Sequence, residues 1–209
     1  MSEGKRVYRS SLRADQARRT RAAVVTAAGD CFVARGYAGT TMKDVADAAG
    51  VAVQTVFGQG GKAALLLACV DRALVGDDEQ VPLRQREQFT RLLAAEGKAD
   101  KLAVLREMAM DRLPSIGPIL RAFRNAAGAD PEVAASWAEY EQRRAADTSV
   151  LVGSFAPLLR PPLDVEQAVD VFWAVFASDT ADRFLGDRGW SVEQYADWLV
   201  DAVDRLLLR

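Results

Sequence analysis

The sequence predicts an all-α protein of about ten helices, with a small N-terminal three-helix domain and a larger helical domain behind it. Three observations carry this. Apolar residues recur at helical spacing from end to end, and no strand alternation is longer than a few residues. Helix starts and stops punctuate the chain at regular intervals. The stretch "MKDVADAAGVAVQTVFGQGGK", Met42 to Lys62, reads as two very short helices around a glycine, each too short to be stable alone.

The first long helix spans Gln16 to Arg35. Val24, Val25, Ala28, Cys31 and Phe32 mark its apolar face, and Gly36 stops it. Thr41 and Asp44 are spaced as a capping pair for the next helix. A helix from Lys62 to Val75 carries Leu65, Leu66, Cys69 and Ala73, and "VGDDEQVP" is a loop. Leu83 to Glu96, Lys98 to Leu113 and Ile116 to Ala127 follow, separated by Gly97 and Pro114. Asp130 and Pro131 make an N-cap with proline at the first helical position, opening a helix to about Ala156. "LLRPPLD" breaks the chain. Asp164 with Gln167 starts a helix to Leu185, and Ser191 with Gln194 starts the last one.

Half of the 209 residues are apolar, enough for a substantial core. No apolar run approaches the roughly 18 residues of a membrane span, and no apolar stretch follows the basic N-terminus to make a signal peptide. The cytoplasm is the expected compartment. Cys31 and Cys69 fall on apolar stripes, which predicts buried, reduced thiols. Two isolated cysteines and no histidine build no ordinary zinc site and leave out the commonest general base. No metal or cofactor is expected, and no enzyme.

The net charge of −2 hides an asymmetry. Residues 1–62 hold ten Lys and Arg against five Asp and Glu, while residues 63–209 hold seventeen against twenty-four. The first third suits a polyanion and the rest does not. Residues 1–15 form a basic arm in which Arg6, Arg9 and Arg13 are placed for phosphate or minor-groove contacts. The arm is expected to be disordered without DNA.

Counted from Met42 as position one, position five is Ala46 and position nine is Gly50. Positions four, eight, ten and fifteen are Val45, Ala49, Val51 and Val56. This is the helix-turn-helix pattern. A small residue lets the helices cross closely, glycine supplies the positive φ of the turn, and the apolar positions seal the angle. The second short helix is then free to enter a major groove and presents Ala52, Val53, Gln54 and Thr55. Glutamine pairs bidentately with adenine, and Ala52 or Val53 can meet a thymine methyl. Thr41, at a helix N-terminus, offers a hydroxyl and a backbone N–H to a phosphate.

"TRAAVVTAAGDCFVARGYAGTTMKDVADAAGVAVQTVF", with the Lys and leucines after it, resembles the DNA-binding domain of TetR-family transcriptional regulators from Thr20 to about Ala68. "WAVFASDTADRFLGDRGWSVEQYADWLVDAVDRLL" is similar to the last two helices of many of them. The resemblance implies a homodimeric, ligand-responsive regulator, in the commonest case a repressor. Its DNA-binding domain would span residues 16–61, and its effector-binding and dimerisation domain residues 62–209. It matches Thr41 to a phosphate-contacting threonine, Thr55 and Phe57 to a threonine and an aromatic of the recognition helix, and Lys62 to a lysine that meets the DNA backbone.

The chain departs from the family at "FGQGGK", one residue shorter than usual, with Gly60 standing about where a packing phenylalanine is expected. A mobile joint is expected there, which Gly60→Phe would tighten. Wall residues for a small apolar or aromatic effector are Phe89, Leu93, Leu105, Met108, Phe123, Trp137 and Tyr140. The dimer contact is expected on the last two helices, through Val169, Phe172, Trp173, Phe176, Trp198, Leu199, Ala202 and Leu206. The alternative is a helical small-molecule-binding or protein-binding module with weakened or lost operator binding. An enzyme is the remote one. "GQGGKA" is not a phosphate loop, because Val56 stands where its first glycine belongs and Ala63 where its Ser or Thr belongs.

Overall fold

The computed structural model describes residues 3–75 and 83–209, with side chains from Asp15 to Leu74 and from Leu83 onward. The described residues form helices α1 (Glu3–Arg35), α2 (Met42–Ala49), α3 (Val53–Phe57), α4 (Lys62–Val75), α5 (Glu87–Ala94), α6 (Lys98–Ala127), α7 (Pro131–Gly153), α8 (Val165–Val175), α9 (Ser178–Ala181) and α10 (Val192–Leu207). None of them is long and apolar enough to cross a membrane.

The expected face of α1 is the buried one: Val24, Val25, Ala28, Cys31 and Phe32 all point into the core. Gly36, at φ 73°, ends the helix. Thr40, which the sequence did not single out, is buried there and turns its hydroxyl to the carbonyls of Cys31 and Gly36, at 3.0 and 2.8 Å. α1 begins at Glu3, ahead of the expected Gln16. The side chains of Arg6, Arg9 and Arg13 lie outside the described residues.

Further along the chain, two helix boundaries differ most from expectation. Pro114 does not break the chain into separate helices, because α6 runs through both Pro114 and Pro118. A proline in a helix interior costs about 3 kcal/mol. Beyond it, Ile116, Ile119, Leu120 and Phe123 are buried in one core with residues of α1 and α4, and that burial holds the second half in line. The helix after Asp164 stops at Val175 instead of reaching Leu185. Ala177 is extended, and a short α9 and a π-helical turn, Asp182–Asp187, follow. The freed carbonyls have partners: the Arg144 guanidinium donates to Phe176 O at 2.9 Å, and the Thr180 hydroxyl to Ala174 O at 3.1 Å.

The main core joins the N-terminal helices to α6 and α7, since Val133 and Tyr140 share it with Val24, Phe32 and Leu66. A second core lies among α5, α6, α7, α8 and α10. Inside it Lys101 is only 3% exposed. Its ammonium donates to Leu92 O at 2.9 Å, Leu93 O at 3.5 Å and Ser154 Oγ at 3.2 Å, closing the C-terminal end of α5.

The expected apolar stripe of α10 divides. Tyr195, Leu199, Val203 and Leu207 are buried within the chain, whereas Trp198 and Ala202 are half-buried and Leu206 is exposed. Phe172 on α8 is buried as well. Phe172 and Leu199, expected at a dimer contact, therefore belong to the chain's own core. Both helices carry apolar residues on more than one face, and the inner face takes these two.

Candidate nucleic-acid interface

α2 starts as its sequence dictates. The Thr41 hydroxyl accepts from the Asp44 N–H at 3.1 Å, and the Asp44 carboxylate accepts from the Thr41 N–H at 2.8 Å. The same carboxylate takes the Thr41 O–H at 2.6 Å and pairs with Arg35 at 2.9 Å. Hydrogen bonds from the Thr41 hydroxyl and N–H, helped by Arg35, hold the Asp44 carboxyl down at about 2. Both donors expected to meet a phosphate at Thr41 are thus engaged by Asp44.

Gly50, left-handed at φ 65°, closes α2. The Val51 N–H returns to Ala46 O at 3.1 Å, so the turn between α2 and α3 is tight. Val45, Ala46 and Val56 are buried, and Ala49 and Val51 pack on the same core. Each position that the helix-turn-helix pattern assigns to the inside therefore faces the core or packs on it. On α3, Gln54 is exposed, Phe57 is 58% exposed and Ala52, at the N-cap, is exposed. Thr55 is half-buried. Val53 is half-buried too and packs on the core, which leaves the outer face narrower than expected.

The glycine run forms a hydrogen-bonded turn. Gly58 N–H donates to Gln54 O at 2.9 Å, Gln59 N–H to Val56 O at 2.9 Å and Gly60 N–H to Phe57 O at 3.1 Å. Gly60 sits at φ 124°, and a Cβ there would stand 3.2 Å from the Ala64 Cβ. The expectation that Gly60→Phe restores packing is overturned, because the backbone is strained for any side chain.

Lys62 opens α4 with its ammonium 4.2 Å from the centroid of the Tyr37 ring. Burial lowers its pKa, while Asp130 and Asp44 pull the other way. Tyr37 is pushed up to about 12, first by burial and then by the charge and hydrogen bond of Asp130. Asp130 also accepts from the N–H groups of Glu132 and Val133, at 2.9 and 3.2 Å, as the N-cap of α7. A ring, an ammonium and a carboxylate thus link the joint after α3 to the start of α7. The sequence carried Tyr37 only within the long stretch from Thr20 to Phe57 and Asp130 only as a cap; their meeting is tertiary.

The expected effector residues are not brought to one wall. Phe123 meets Trp137 and Tyr140 edge to face, and those two rings tilt against each other, with centroids 5.1 to 6.1 Å apart, beneath the N-terminal helices. Phe89, Leu93, Leu105 and Met108 belong to the second core. None of them lines either of two open clefts. One, of about 360 Å³, lies between α1, α4 and α6, and the other, of about 440 Å³, between α4, α5 and α6. In the second, Arg112 donates to the Gln88 side-chain carbonyl at 3.0 and 3.3 Å.

Residues 24–69 match the family model of the bacterial regulatory proteins of the tetR family. No curated protein matches the sequence. Among solved structures, the chain is similar to NalD, the secondary repressor of the MexAB-OprM multidrug efflux pump in Pseudomonas aeruginosa. That likeness has 20% identity and a TM-score of 0.72, over 93% of this chain and 98% of the other. It is similar to the transcriptional regulator FadR from Bacillus subtilis, determined with stearoyl-CoA, at 14% identity and TM-score 0.67, over 87% and 96%. A Saccharomonospora viridis protein in complex with choline aligns at 16% identity and TM-score 0.68, over 90% and 97%. At these identities the likeness is one of fold. The chain carries the helix-turn-helix DNA-binding domain of the tetR family at its N-terminus and, as a whole, the fold of that family's regulators.

Proposed function

We propose that the chain is a homodimeric transcriptional repressor that reads a palindromic operator and releases it on binding a small apolar or aromatic effector. The observation that carries the reading is the outer face of α3, held clear of the core by a sealed turn, in the basic third of the chain. Gln54 is the base reader, Lys62 contacts the DNA backbone, Thr41 does so on giving up its bonds to Asp44, and Arg6, Arg9 and Arg13 add phosphate or minor-groove contacts. Two recognition helices on a two-fold axis read half-sites about 34 Å apart. The similar solved structures in complex with stearoyl-CoA and with choline give precedent for a small ligand.

The test is Gln54→Ala, measured on an operator selected from a random duplex pool and on random duplex. A loss of about 1–3 kcal/mol on the operator alone is expected from one bidentate contact. Equal losses on both would remove Gln54 as a base reader. A second reading is a helical binding module with weakened operator contact. It is favoured by the engagement of Lys62 with Tyr37 and of Thr41 with Asp44. A flat salt dependence on random duplex would select it, since bound Lys and Arg release counterions.

A further inference from the structure

Residues 48–61 hold no charged side chain, and they span the turn, the whole of α3 and its exit. The flanking cations are engaged: Lys43 pairs with Asp47 at 3.0 Å, and Lys62 lies over Tyr37. Guanine is read in the major groove chiefly by Arg or Lys donating to its O6 and N7. α3 has neither. Its outer face offers the Ala52 methyl, the Gln54 amide and the Phe57 ring.

Phe57 is the only aromatic among the exposed large apolar side chains of the described residues. It stands one α-helical turn after Val53 and three residues after Gln54, so ring and amide share the outer side of the helix. The thymine C5 methyl is the one apolar group on the major-groove edge of a base pair. A ring and a methyl flanking a glutamine complement a thymine beside an adenine, the base that glutamine reads.

We propose that the chain reads its DNA through thymine methyl groups, with Phe57 as the specificity-determining residue, Ala52 as a second methyl contact and Gln54 on the adjacent adenine. The half-site facing α3 is then A·T-rich. This rests on the DNA-binding reading above and narrows it to a class of base sequence.

Uracil isolates the methyl, because it pairs as thymine does and lacks only that group. Binding of the full chain to random duplex is measured first, as a function of salt. An operator is then selected from a random pool and made with thymine or with uracil at the half-site positions. The uracil duplex is expected to bind about fourfold more weakly for each contacted methyl, the worth of one buried CH₂. Phe57→Ser is expected to fold, since the ring is mostly in solvent, and to lose about fourfold of the discrimination, the share of the methyl that the ring contacts, while Ala52 keeps its own. Equal binding of the two duplexes by the parent protein would overturn the proposal. So would full discrimination by a folded Phe57→Ser variant, which would place the ring on the sugar–phosphate or on a protein partner, or a G·C-rich selected half-site. Salt-dependent binding with no selected sequence would overturn it while leaving DNA binding intact. No salt-dependent binding at all would remove both.

Discussion

The Cys69 thiol donates to the backbone carbonyl of Val25 at 3.3 Å and is nearly closed off from solvent. Burial pushes its pKa from 9.0 up to about 12. The sign of the linkage follows. Below pH 9 both the folded and the unfolded chain hold the proton. Between 9 and about 12 only the folded chain holds it, so stability is lost as the pH rises. Tyr140 acts in the same direction, from 10.0 to about 12, whereas burial lowers the pKa of Lys101 and makes its contribution run the opposite way. Cys69→Ala separates these. Melted in reductant, the variant starts less stable because of the cavity, but its melting temperature should fall less steeply than the parent's once the pH passes 9. Parallel curves would show that the thiol does not titrate on unfolding. The burial of Cys69 was legible because Leu65, Leu66 and Cys69 keep a helical period. The burial of Lys101 was not, because its partners are carbonyls of another helix.

At the scale of elements, the helix-turn-helix was legible residue by residue because it is a local motif whose inside positions recur at fixed spacing. The capping pairs at Asp164 and Ser191 were legible for the same reason. What misled was the reading of single breakers and single helices in isolation. Pro114 was outweighed by the burial beyond it, and the break after Val175 depends on Arg144 and Thr180 claiming its carbonyls. The glycine run gives a contrast that tests this view. Gly60 has φ 124° and a Cβ there would press on Ala64, while Gly61 has ordinary φ and a Cβ there would meet only Glu132 Oε1, at 3.7 Å. Gly60→Ala should destabilise by about 1–3 kcal/mol through backbone strain. Gly61→Ala should be neutral or stabilise by up to about 1 kcal/mol by narrowing the unfolded ensemble. Chemical denaturation of the two variants decides the matter. A tolerated Gly60→Ala would mean that the turn adjusts freely.

At the scale of the whole molecule, α6 is the post to which the others are tied. Lys98 at its start pairs with Asp204 at 2.8 Å, Arg106 with Asp197 and Glu193, and Arg121 with Asp182 at 3.0 Å. Pairs this exposed are worth about 0–1 kcal/mol each, so they set orientation more than stability. α10 turns its inner face to this post, and α8 packs on α7 and α10. Trp173, Ala202 and Leu206 are left half-buried or exposed, and so are Val169, Phe176 and Trp198, which also pack on the edges of the chain's own cores. One face of Trp173 is covered by the Arg144 guanidinium, 3.9 Å from its ring centroid. The proposed dimer uses this surface, and Leu206 and Leu199 distinguish an interface role from a core role. Leu206 is 48% exposed, so Leu206→Glu should leave the fold intact. In a two-fold interface it removes two apolar contacts, about 2–3 kcal/mol together, which raises the dissociation constant at least about thirtyfold. Leu199 is 1% exposed, and Leu199→Glu should unfold the chain instead of dissociating it. Sedimentation equilibrium with circular dichroism reads both outcomes. A parent protein that sediments as a monomer at micromolar concentration would remove the dimer, and a Leu206→Glu variant that stays dimeric would move the interface elsewhere.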